Sequence, residues 1–557
     1  MKGRDAVVEM FRRQGVRYVF GNPGTTEFGL ITSLKEQSEI QYILALQEGV
    51  ALEMARAYAN ASGKTGVVNL HVAPGLGNAM GALYNAAMGK MPLVVTAGQQ
   101  DTRMLIQEPL LSHDLVAMAR PLTKWAVQIQ HAEDIPVIMS RAFKTAQDPP
   151  RGPVFVSLPG NVLEDELKME LRPQGQYYRS ARPDPAGLER ASEILLKSKH
   201  PVVICGDGVA ASRAVEELVG LAEFLGARVW NTLMVGALNF PMTHPQFRGI
   251  LPADAGTIRM TLGKADAVLS VGANLFNDVF YDESYPLPEG SMLIQIGDCP
   301  WEMGKNLSAD AGILCNPKAG IAELHCLMES TAGAEFRTLS EKRRQELAEQ
   351  KIAEQAQAEA QERKRWDNTP ISNVRLMMDI RDCLPENAII YNEGVSAHMD
   401  VLSTLAFKRP GSLFGNHGGG IGQGLPGAIG VKLAHPENPV IALVGDGSAM
   451  YTIQSLWTAA YHHIPVIYVI LANQSYRILK YNMARYLSVE KAQSSRPYAF
   501  MDFADPPLDF VGMAGSMGVA GKLVLGPEDI KPSLKQALSS GGPFLLEVRT
   551  DGKGPGE

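Results

Sequence analysis

The sequence contains a set of oxygen-bearing side chains whose spacing suits a divalent cation and a diphosphate group. Asp446 lies in a Gly-Asp-Gly-Ser sequence, and Asn473 follows after a mostly apolar run, two residues before Ser475. A hard cation such as Mg2+ prefers carboxylate, amide and backbone carbonyl oxygens, with phosphate and water completing its shell. Asp446, Asn473 and the main chain at Ser475 supply the first three. The Ser448 hydroxyl and the backbone N–H groups around Gly447 are suited to binding the diphosphate.

The elements predicted around these residues place them at one edge of a sheet. Val440–Val444 and Pro465–Leu471 are short apolar runs typical of buried parallel strands, and Tyr451–Tyr461 between them has a helical pattern. A βαβ unit of this kind brings Asp446 and Asn473 to the carboxyl ends of its strands, where open α/β sheets bind ligands. A Gly-Asp-Gly tripeptide by itself is more often an ordinary turn, so the prediction depends on the flanking strands and the terminal Asn.

A second set of candidate residues lies in the amino-terminal part of the chain. Thr25, Glu48 and His71 each follow a strand-like run, and these three runs are successive. We therefore expect the three side chains at the carboxyl edge of a single sheet. Taken singly, a Glu after a strand is more often a charge at a helix N-terminus, and a lone His is more often structural. Their shared position makes them candidates for acid–base chemistry.

Composition and charge indicate a large cytoplasmic enzyme. The chain has 557 residues, 45% of them hydrophobic, which suits about three or four domains. Its net charge of −7 and its lack of a basic cluster argue against nucleic-acid binding. No apolar run reaches the ~18–20 residues of a membrane span, and Met1–Phe11 carries charges where a signal peptide would be apolar. The five cysteines form no CxxC pair, so we expect reduced thiols and neither a zinc site nor a disulfide.

Alternating strand-like and helical patterns divide the chain into three blocks. We predict an α/β fold with three doubly wound parallel-sheet domains, at residues 1–165, 186–330 and 370–550. Residues 331–369 are rich in charged residues and contain a long stretch without glycine or proline. This composition favours a solvated helical linker between the second and third domains.

Beyond these patterns, nearly the whole chain resembles the thiamine-diphosphate (ThDP)-dependent 2-oxoacid decarboxylases of the benzoylformate decarboxylase type. The matching segments are Phe20–Gly24, Tyr42–Glu48, Asn69–His71, Gly77–Leu83, Val95–Gln99, Phe247–Gly249, Asn392–Glu393, Ala428–Val431, Gly445–Ala449 and Leu456–Ala460. The resemblance implies a pyrimidine-binding domain, a middle domain and a diphosphate-binding domain, with ThDP and Mg2+ as cofactors. It also implies a homodimer or homotetramer in which two chains form each active site.

The resemblance also assigns roles to the candidate residues. Glu48 is implied to activate ThDP through N1′ of its aminopyrimidine, and Ile421 to hold the cofactor folded by wedging between its two rings. His71 is implied to move protons on the substrate-derived group, with Thr25 binding the substrate carboxylate. The remaining assignments are Gly419, whose carbonyl accepts from the 4′-amine; Ser396, Gly447, Ser448 and Tyr476 at the diphosphate; and Asp446, Asn473 and Ser475 at the cation.

The chain departs from the benzoylformate decarboxylases at positions that would face the substrate. Val279 stands where that family has a second catalytic histidine, Gly415 and Asn482 replace two phenylalanines, and Ile478 replaces an alanine. A valine cannot relay protons, and lost aromatic walls change the substrate pocket. We expect decarboxylation of a small-molecule 2-oxoacid through an enamine or carbanion intermediate, with possible carboligation to an aldehyde that gives 2-hydroxyketones.

Several alternatives stay open at this point. One is an acetolactate synthase-like or benzaldehyde lyase-like carboligase, and a more remote one is an inactive ThDP-fold binding subunit. Leu111 stands where acetohydroxyacid synthases have a glutamine beside the cofactor, and the middle domain follows the decarboxylase, so no FAD is expected. His398 and His417 are candidates to replace the missing histidine. Arg477 either pairs with a substrate carboxylate or faces solvent or phosphate.

Overall fold

The computed structural model describes residues 1–168, 175, 177–276, 279–489 and 496–557. It contains three six-stranded parallel sheets with flanking helices, which confirms the predicted fold class. Contacts divide the chain into two compact units: residues 1–177, 367–398 and 416–557 form the first, and residues 178–366 and 399–415 form the second. The boundaries of the three domains remain a prediction. Among the described residues, no helix combines the length and the apolar character that crossing a membrane requires.

The first sheet occupies the amino-terminal part of the chain. Its strands are β1 (Tyr18–Gly21), β2 (Gln41–Leu44), β3 (Gly66–Leu70), β4 (Leu93–Gln99), β5 (Trp125–Gln128) and β6 (Val154–Pro159). The α-helices are α1 (Gly3–Arg13), α2 (Phe28–Lys35), α3 (Glu48–Ser62), α4 (Val72–Met88), α5 (Leu115–Ala119), α6 (Ile135–Gln147) and α7 (Gly160–Glu164). Short 3-10 helices lie at Thr25–Glu27, Thr102–Gln107, Arg120–Leu122 and Ala132–Asp134. The strand order is β2-β1-β3-β4-β6-β5.

The central strands of this sheet are buried along their whole length, as apolar runs in a doubly wound sheet should be. The pairing register of β1, β2 and β3 determines where the residues that follow these strands lie. Gly21 of β1 pairs with Leu44 of β2 on one side and with Asn69 of β3 on the other. The three strands therefore end nearly level at one edge, and the residues that follow them lie side by side.

The second sheet belongs to the second compact unit. Its strands are β7 (Pro201–Cys205), β8 (Arg228–Asn231), β9 (Phe247–Ile250), β10 (Ala267–Val271), β11 (Met292–Gly297) and β12 (Ala311–Leu314). The helices are α8 (Pro185–Lys197), α9 (Gly208–Ala211), α10 (Val215–Leu225), α11 (Ala255–Leu262), α12 (Pro317–Thr331) and α13 (Ala334–Glu362). The strand order is β12-β11-β10-β7-β8-β9.

Helix α13 covers most of the predicted linker, and its two halves differ. Ser340 Oγ donates to the Phe224 carbonyl at 2.6 Å, and Arg343 Nη2 donates to the Leu225 carbonyl at 2.6 Å. These bonds fix the first half of α13 against the end of α10. After Lys351 the helix is exposed all round, as expected of a solvated linker.

The third sheet follows in the carboxyl-terminal part of the chain. Its strands are β13 (Ile389–Glu393), β14 (Leu413–Gly415), β15 (Val440–Gly445), β16 (Val466–Ala472), β17 (Ala520–Val524) and β18 (Phe544–Arg549). The α-helices are α14 (Asn373–Cys383), α15 (His398–Thr404), α16 (Gly424–Ala434), α17 (Asp446–Ala449), α18 (Ser455–Tyr461), α19 (Arg477–Val489), α20 (Phe510–Ser516) and α21 (Ile530–Ser539). Short 3-10 helices lie at Arg363–Arg365, Val395–Ala397 and Pro527–Asp529. The strand order is β14-β13-β15-β16-β18-β17.

Helices α3 and α16 bring the amino- and carboxyl-terminal parts of the first unit together. Residues 424–432 of α16 are buried. A Cβ at Gly430 would lie 2.1 Å from the Met54 carbonyl oxygen and 2.8 Å from the Tyr58 nitrogen, so only glycine permits this approach of the two backbones. The absence of a side chain at Gly430 therefore sets the spacing of the two helices.

Candidate active site

Glu48 occupies the first position of α3, directly after the loop that leaves β2. The Gln47 side chain caps this helix by accepting from Val50 N at 3.0 Å. The Glu48 carboxylate is 6% exposed, and Asn78 Nδ2 of α4 donates to its Oε2 at 3.0 Å. A Cβ at Gly75 would lie 2.9 Å from Glu48 Oε1. The carboxylate is thus held between two helix starts by an amide and by a glycine that leaves it room.

His71 closes β3 and forms the N-cap of α4, and a buried carboxylate orients its ring. His71 Nδ1 lies 2.8 Å from Oε2 of Glu27, which is 1% exposed. The same carboxylate accepts from Gly24 N at 2.9 Å and from Gly98 N at 3.0 Å. A carboxylate at Nδ1 keeps the proton of the neutral ring on that nitrogen, which makes Nε2 the atom able to exchange protons.

Glu27 was missed by the sequence analysis, although a local signal exists. It lies at the end of the 3-10 turn that begins at Thr25 and accepts from Gly24 N, three residues earlier, which is the pattern of a capping residue. A Cβ at Gly24 would lie 2.0 Å from His71 Nδ1, so the glycine is required for the ring to approach. The Asn-Pro-Gly turn therefore ends β1 and also leaves space for the His71 ring.

Thr25 is exposed on the first position of that turn, and Thr26 points to the buried side. Thr26 Oγ1 donates to Glu27 Oε1 at 2.7 Å and lies 3.4 Å from His71 Nδ1. Thr25, Glu48 and His71 thus follow β1, β2 and β3, which are neighbours in the sheet and end level. The structure brings together the backbone positions that the sequence predicted for this edge.

Asp446 and Asn473 follow β15 and β16, which are adjacent strands with Gly445 paired to Leu471. The Asp446 side chain is 2% exposed and accepts from Gly447 N at 2.8 Å and from Gln474 N at 2.5 Å. Burial raises the pKa of Asp446 to about 6, although these backbone N–H groups lower it. The positive charge of Arg549 also lowers the pKa, but burial has the larger effect, and a carboxylate buried in this way fits a site that receives a cation.

Asn473 connects the cation ligands to the residues expected at the diphosphate. Its Oδ1 accepts from Ser475 N at 2.9 Å, and its Nδ2 donates to Ser396 Oγ at 3.3 Å. Gln474 adopts φ of 58°, which turns the chain sharply between Asn473 and Ser475. In the part of the chain that the structure describes, no group of three or more His, Cys, Asp or Glu residues could hold a metal. One carboxylate, one amide oxygen and one backbone carbonyl are oxygen ligands that suit a hard cation whose remaining ligands are phosphate and water oxygens.

Gly447 and Ser448 lie in the short helix α17 beside Tyr476. Both are buried, and a Cβ at Gly447 would lie 2.6 Å from Tyr476 Cε1. The tyrosine ring and the helix start are therefore packed too closely for any side chain at this position. This arrangement brings Ser448 and Tyr476, two of the expected diphosphate contacts, to the same strand ends as Asp446.

The glycine segment 418–422 precedes α16. Gly418, Gly419 and Gly422 have φ of 72°, 89° and 97°, a region that favours glycine. Gly419 is exposed and Ile421 half-buried, so both are accessible to a ligand. The backbone N–H groups at the end of this segment donate to the buried carboxylate of Glu393, a contact that the sequence analysis did not predict.

Glu393, the last residue of β13, binds the end of the glycine segment. Its Oε1 accepts from Gly422 N at 2.9 Å, from Gln423 N at 3.0 Å and from Asn416 Nδ2 at 3.1 Å, and its Oε2 accepts from Gly424 N at 2.5 Å. Burial raises the pKa of Glu393 to about 7, against the lowering effect of these bonds. One side chain thus fixes three successive peptides next to Ile421.

The two histidines proposed as substitutes occupy different settings. His417 is 4% exposed, and its Nδ1 accepts from Arg56 Nη1 at 2.9 Å, because a guanidinium is only a donor. This bond makes the His417 ring neutral with its proton on Nε2. His398 Nδ1 lies 3.1 Å from Asn392 Nδ2, and burial lowers the pKa of His398 to about 4. The His398 ring is therefore neutral near pH 7.

The positions that depart from the decarboxylases are spread over several elements. Ile478 and Asn482 are half-buried and four residues apart on α19, so they share one face of that helix. Val279 is 62% exposed. Arg477 donates to the Lys553 carbonyl at 3.0 Å and lies 3.3 Å from Asp551 Oδ2, so residues near the carboxyl terminus already bind its guanidinium.

Comparison with known proteins matches three parts of the chain to domains of thiamine pyrophosphate enzymes. Residues 1–118 match the N-terminal TPP (thiamine pyrophosphate) binding domain of thiamine pyrophosphate enzymes, residues 188–324 their central domain, and residues 395–548 their C-terminal TPP binding domain. Benzoylformate decarboxylase of Pseudomonas aeruginosa is 35% identical over 552 residues, covering 98% of both chains. A probable acetolactate synthase large subunit of Methanocaldococcus jannaschii is 29% identical, covering 99% of this chain and 92% of its own.

Among solved structures, the ThDP-dependent 4-hydroxybenzoylformate decarboxylase of Rhodococcus jostii RHA1 superimposes with a TM-score of 0.86. It is 31% identical in sequence, and the match covers 99% of both chains. Sequence and fold are therefore similar over the full length of these relatives.

Proposed function

Because this chain belongs to the ThDP-dependent 2-oxoacid decarboxylase and carboligase family, we propose that it is a Mg2+-dependent enzyme that decarboxylates a small 2-oxoacid. ThDP is the cofactor of this family. The observation that carries the proposal is the pair of oriented proton-transfer groups at one sheet edge. Glu48 is held by Asn78, and His71 is held by Glu27, after neighbouring strands.

When bound, ThDP would supply a nucleophilic thiazolium carbon for the 2-oxo carbon and an electron sink for the loss of carbon dioxide. The chain supplies the proton transfers. Glu48 would hold a proton at N1′ of the aminopyrimidine, and its hydrogen bond from Asn78 fixes the direction of the carboxylate. His71 delivers and removes protons through Nε2 at the substrate, and Thr25 binds the substrate carboxylate through its hydroxyl. Gly419 and Ile421 orient the cofactor rings from the glycine segment.

We propose that Mg2+ is held by Asp446, Asn473 and the backbone at Ser475. The diphosphate is held by Ser396, Gly447, Ser448 and Tyr476. The buried carboxylate of Asp446 supports this assignment, because a cation at that position would offset the cost of its burial. The bond from Asn473 to Ser396 supports a shared metal and diphosphate site.

We also propose a homodimer or homotetramer in which each active site uses two chains. Ile106 is 89% exposed and Leu110 is 83% exposed in the segment after β4, on the same side of the first sheet as Thr25, Glu48 and His71. Exposed apolar side chains of this size support an interface with a second copy. A cytoplasmic location remains part of the proposal.

The substrate is proposed to differ from benzoylformate, and carboligation to an aldehyde is proposed as a second outcome. Val279 lacks the proton that a histidine would supply, and Gly415 and Asn482 lack aromatic surface. The similarity to an acetolactate synthase supports a carboligase as the second candidate function. An inactive binding subunit is the third alternative, which the oriented Glu48 and His71 argue against.

One experiment tests these possibilities together. The purified chain is incubated with ThDP, Mg2+ and a panel of 2-oxoacids, with and without acetaldehyde, and carbon dioxide and organic products are measured. A decarboxylase releases carbon dioxide and aldehyde from at least one 2-oxoacid, whereas an acetolactate synthase-like enzyme gives acetolactate from pyruvate. Absence of both from the wild type, with Glu48→Gln giving the same background, would leave only the binding subunit.

A further inference from the structure

A buried ion pair in α3 has no part in the chemistry described above. Arg56 is 0% exposed and Glu53 is 3% exposed, and Arg56 Nε donates to Glu53 Oε2. Arg56 also donates to the hydroxyl of Tyr391 on β13 and to His417 Nδ1 at 2.9 Å. The guanidinium therefore has partners from both the amino- and the carboxyl-terminal parts of the first unit.

The second oxygen of Glu53 binds the side chain of Asn85 in α4. Asn85 Nδ2 donates to Glu53 Oε1 at 2.7 Å, and Asn85 Oδ1 accepts from Gly420 N at 3.2 Å. A carboxylate can only accept and a backbone N–H can only donate, so these two contacts fix which end of the amide faces which partner. Glu53 thereby turns the oxygen of Asn85 toward the glycine segment.

The glycine segment is shaped for this contact. A Cβ at Gly420 would lie 2.7 Å from Asn85 Oδ1, and a Cβ at Gly418 would lie 2.9 Å from the same atom. Gly420, unlike Gly418 and Gly419, does not have a positive φ. Its lack of a side chain is therefore explained by the approach of Asn85.

The N–H of Gly420 and the carbonyl of Gly419 belong to one peptide group. In a trans peptide these two groups point in opposite directions, so a bond to one fixes the direction of the other. Both residues of this peptide are glycines, whose backbones tolerate more φ/ψ combinations than other residues do, so the sequence alone does not fix its orientation. The bond from Gly420 N to Asn85 is thus the contact that holds the Gly419 carbonyl pointing away from α4.

We propose that Asn85 is a positioning residue of the cofactor site, which sets the direction of the Gly419 carbonyl, and that the Glu53–Arg56 pair fixes the Asn85 amide. This inference rests on the proposed function, because Gly419 is assigned there as the acceptor for the 4′-amine of ThDP. The bond from Gln423 Nε2 to the Gly420 carbonyl at 2.6 Å holds the next peptide. Asn85 Nδ2 also lies 3.5 Å from the Gly420 carbonyl, so Asn85 makes its shorter contact with the first peptide and Gln423 makes the shorter contact with the second.

The test compares Asn85→Ala, Asn85→Asp and the double variant Glu53→Gln/Asn85→Asp with the wild type. Asn85→Asp keeps an acceptor for Gly420 N but cannot donate to Glu53, and it places two carboxylates together. In the double variant, the amide introduced at position 53 donates to the carboxylate introduced at position 85 and still accepts from Arg56. The side chain at position 85 therefore keeps an oxygen toward Gly420 N, and the net charge is that of the wild type. Asn316→Ala is the control, because Asn316 caps α12 of the second unit through the same kind of amide contact.

Two quantities are measured: the dissociation constant of ThDP with Mg2+ by calorimetry, and the exchange rate of the cofactor C2 proton by NMR after acid quench. Asn85→Ala should weaken ThDP binding by about tenfold and slow exchange by at least as much, since one orienting hydrogen bond is lost. Asn85→Asp should be at least as impaired. The double variant should recover most of both quantities, and Asn316→Ala should change neither.

Normal exchange and affinity in folded Asn85→Ala would overturn the proposal. If Asn85→Ala does not fold, the double variant decides: recovery supports the positioning role, and exchange as slow as in Asn85→Asp contradicts it. If the proposed function itself is wrong, the wild type will bind no ThDP and show no exchange of the C2 proton. That result is distinct from an effect confined to the Asn85 variants.

Discussion

Glu27→Gln is the sharpest test of the proton-transfer geometry, because it changes one oxygen to an NH2 group. In the wild type the two carboxylate oxygens accept from Gly24 N, Gly98 N, Thr26 Oγ1 and His71. A glutamine amide has one acceptor oxygen, so whichever way it turns, a backbone N–H faces its NH2 group. An unsatisfied buried donor costs about 1–3 kcal/mol, which is the expected loss in free energy of unfolding.

The effect on activity follows from the orientation of the amide. If the NH2 group faces His71, Nδ1 must accept, and the proton of the neutral ring moves to Nε2. If the oxygen faces His71, the tautomer is kept but the charge that stabilises a protonated ring is lost. Losing a positioned proton-transfer group costs ~10²–10⁴-fold in rate, and since the ring itself remains, we expect kcat to fall about 10²-fold. ThDP affinity should change by less than about threefold.

The assay is steady-state kinetics with the best 2-oxoacid of the panel, together with thermal unfolding and ThDP calorimetry. Glu547→Gln is the matched control, because Glu547 is also buried and accepts from the backbone N–H groups of Phe510 and Val511. It should lose similar stability while kcat stays within about twofold. A Glu27→Gln enzyme with wild-type kcat, or a Glu547→Gln enzyme equally slow, would refute the role of Glu27.

Four further outcomes are expected. Asp446→Ala should abolish retention of ThDP with Mg2+ in calorimetry, while its circular dichroism spectrum stays native. In the wild type, burial raises the pKa of Asp446 to about 6, and only the ionised carboxylate binds the cation. The affinity of the wild type for Mg2+ and ThDP should therefore fall as the pH drops through about 6. Glu48→Gln should still bind ThDP but turn over ~10²–10⁴-fold more slowly, with C2-proton exchange slowed in parallel. Because Val279 supplies no proton, benzoylformate with acetaldehyde should give slow decarboxylation and a large share of 2-hydroxyketone in chromatographic product analysis; fast release of benzaldehyde alone would contradict this. Gly430→Ala should lower the free energy of unfolding, measured with denaturant, by more than ~1–3 kcal/mol, since a Cβ 2.1 Å from the Met54 carbonyl forces α3 and α16 apart.

The sequence was sufficient to predict the strand ends of the site, because each depends on a local pattern. Buried apolar runs identify β15 and β16, and the residues after them must lie at the carboxyl edge of the sheet. The predicted helix Tyr451–Tyr461 was too long: the chain forms α17 at Asp446–Ala449, turns, and starts α18 only at Ser455. A hydrophobic pattern does not reveal such a turn, since Met450 and Ile453 within it are apolar and no glycine or proline marks it.

The side-chain partners could not be predicted in the same way, because they come from distant parts of the chain. Asn78 binds Glu48 from 30 residues away, and Arg56 binds His417 from 361 residues away. His462 is half-buried and accepts from the backbone N–H of Leu44 at 2.9 Å, another contact between distant parts of the chain. Contacts of this kind depend on how whole elements pack, which no single stretch of sequence encodes.

The buried Arg56 also sets an order on how the chain is made. Its partner Tyr391 is synthesised 335 residues later, and residues 178–366 of the second unit emerge from the ribosome in between. At about 5–20 residues per second, this interval lasts roughly 20–70 seconds. During that time Arg56 has Glu53 beside it on α3 but neither Tyr391 nor His417, and the backbone of α3 at Met54 lacks its close contact with Gly430 of α16. The buried contacts of α3 are therefore complete only after residues 391–434 have been synthesised.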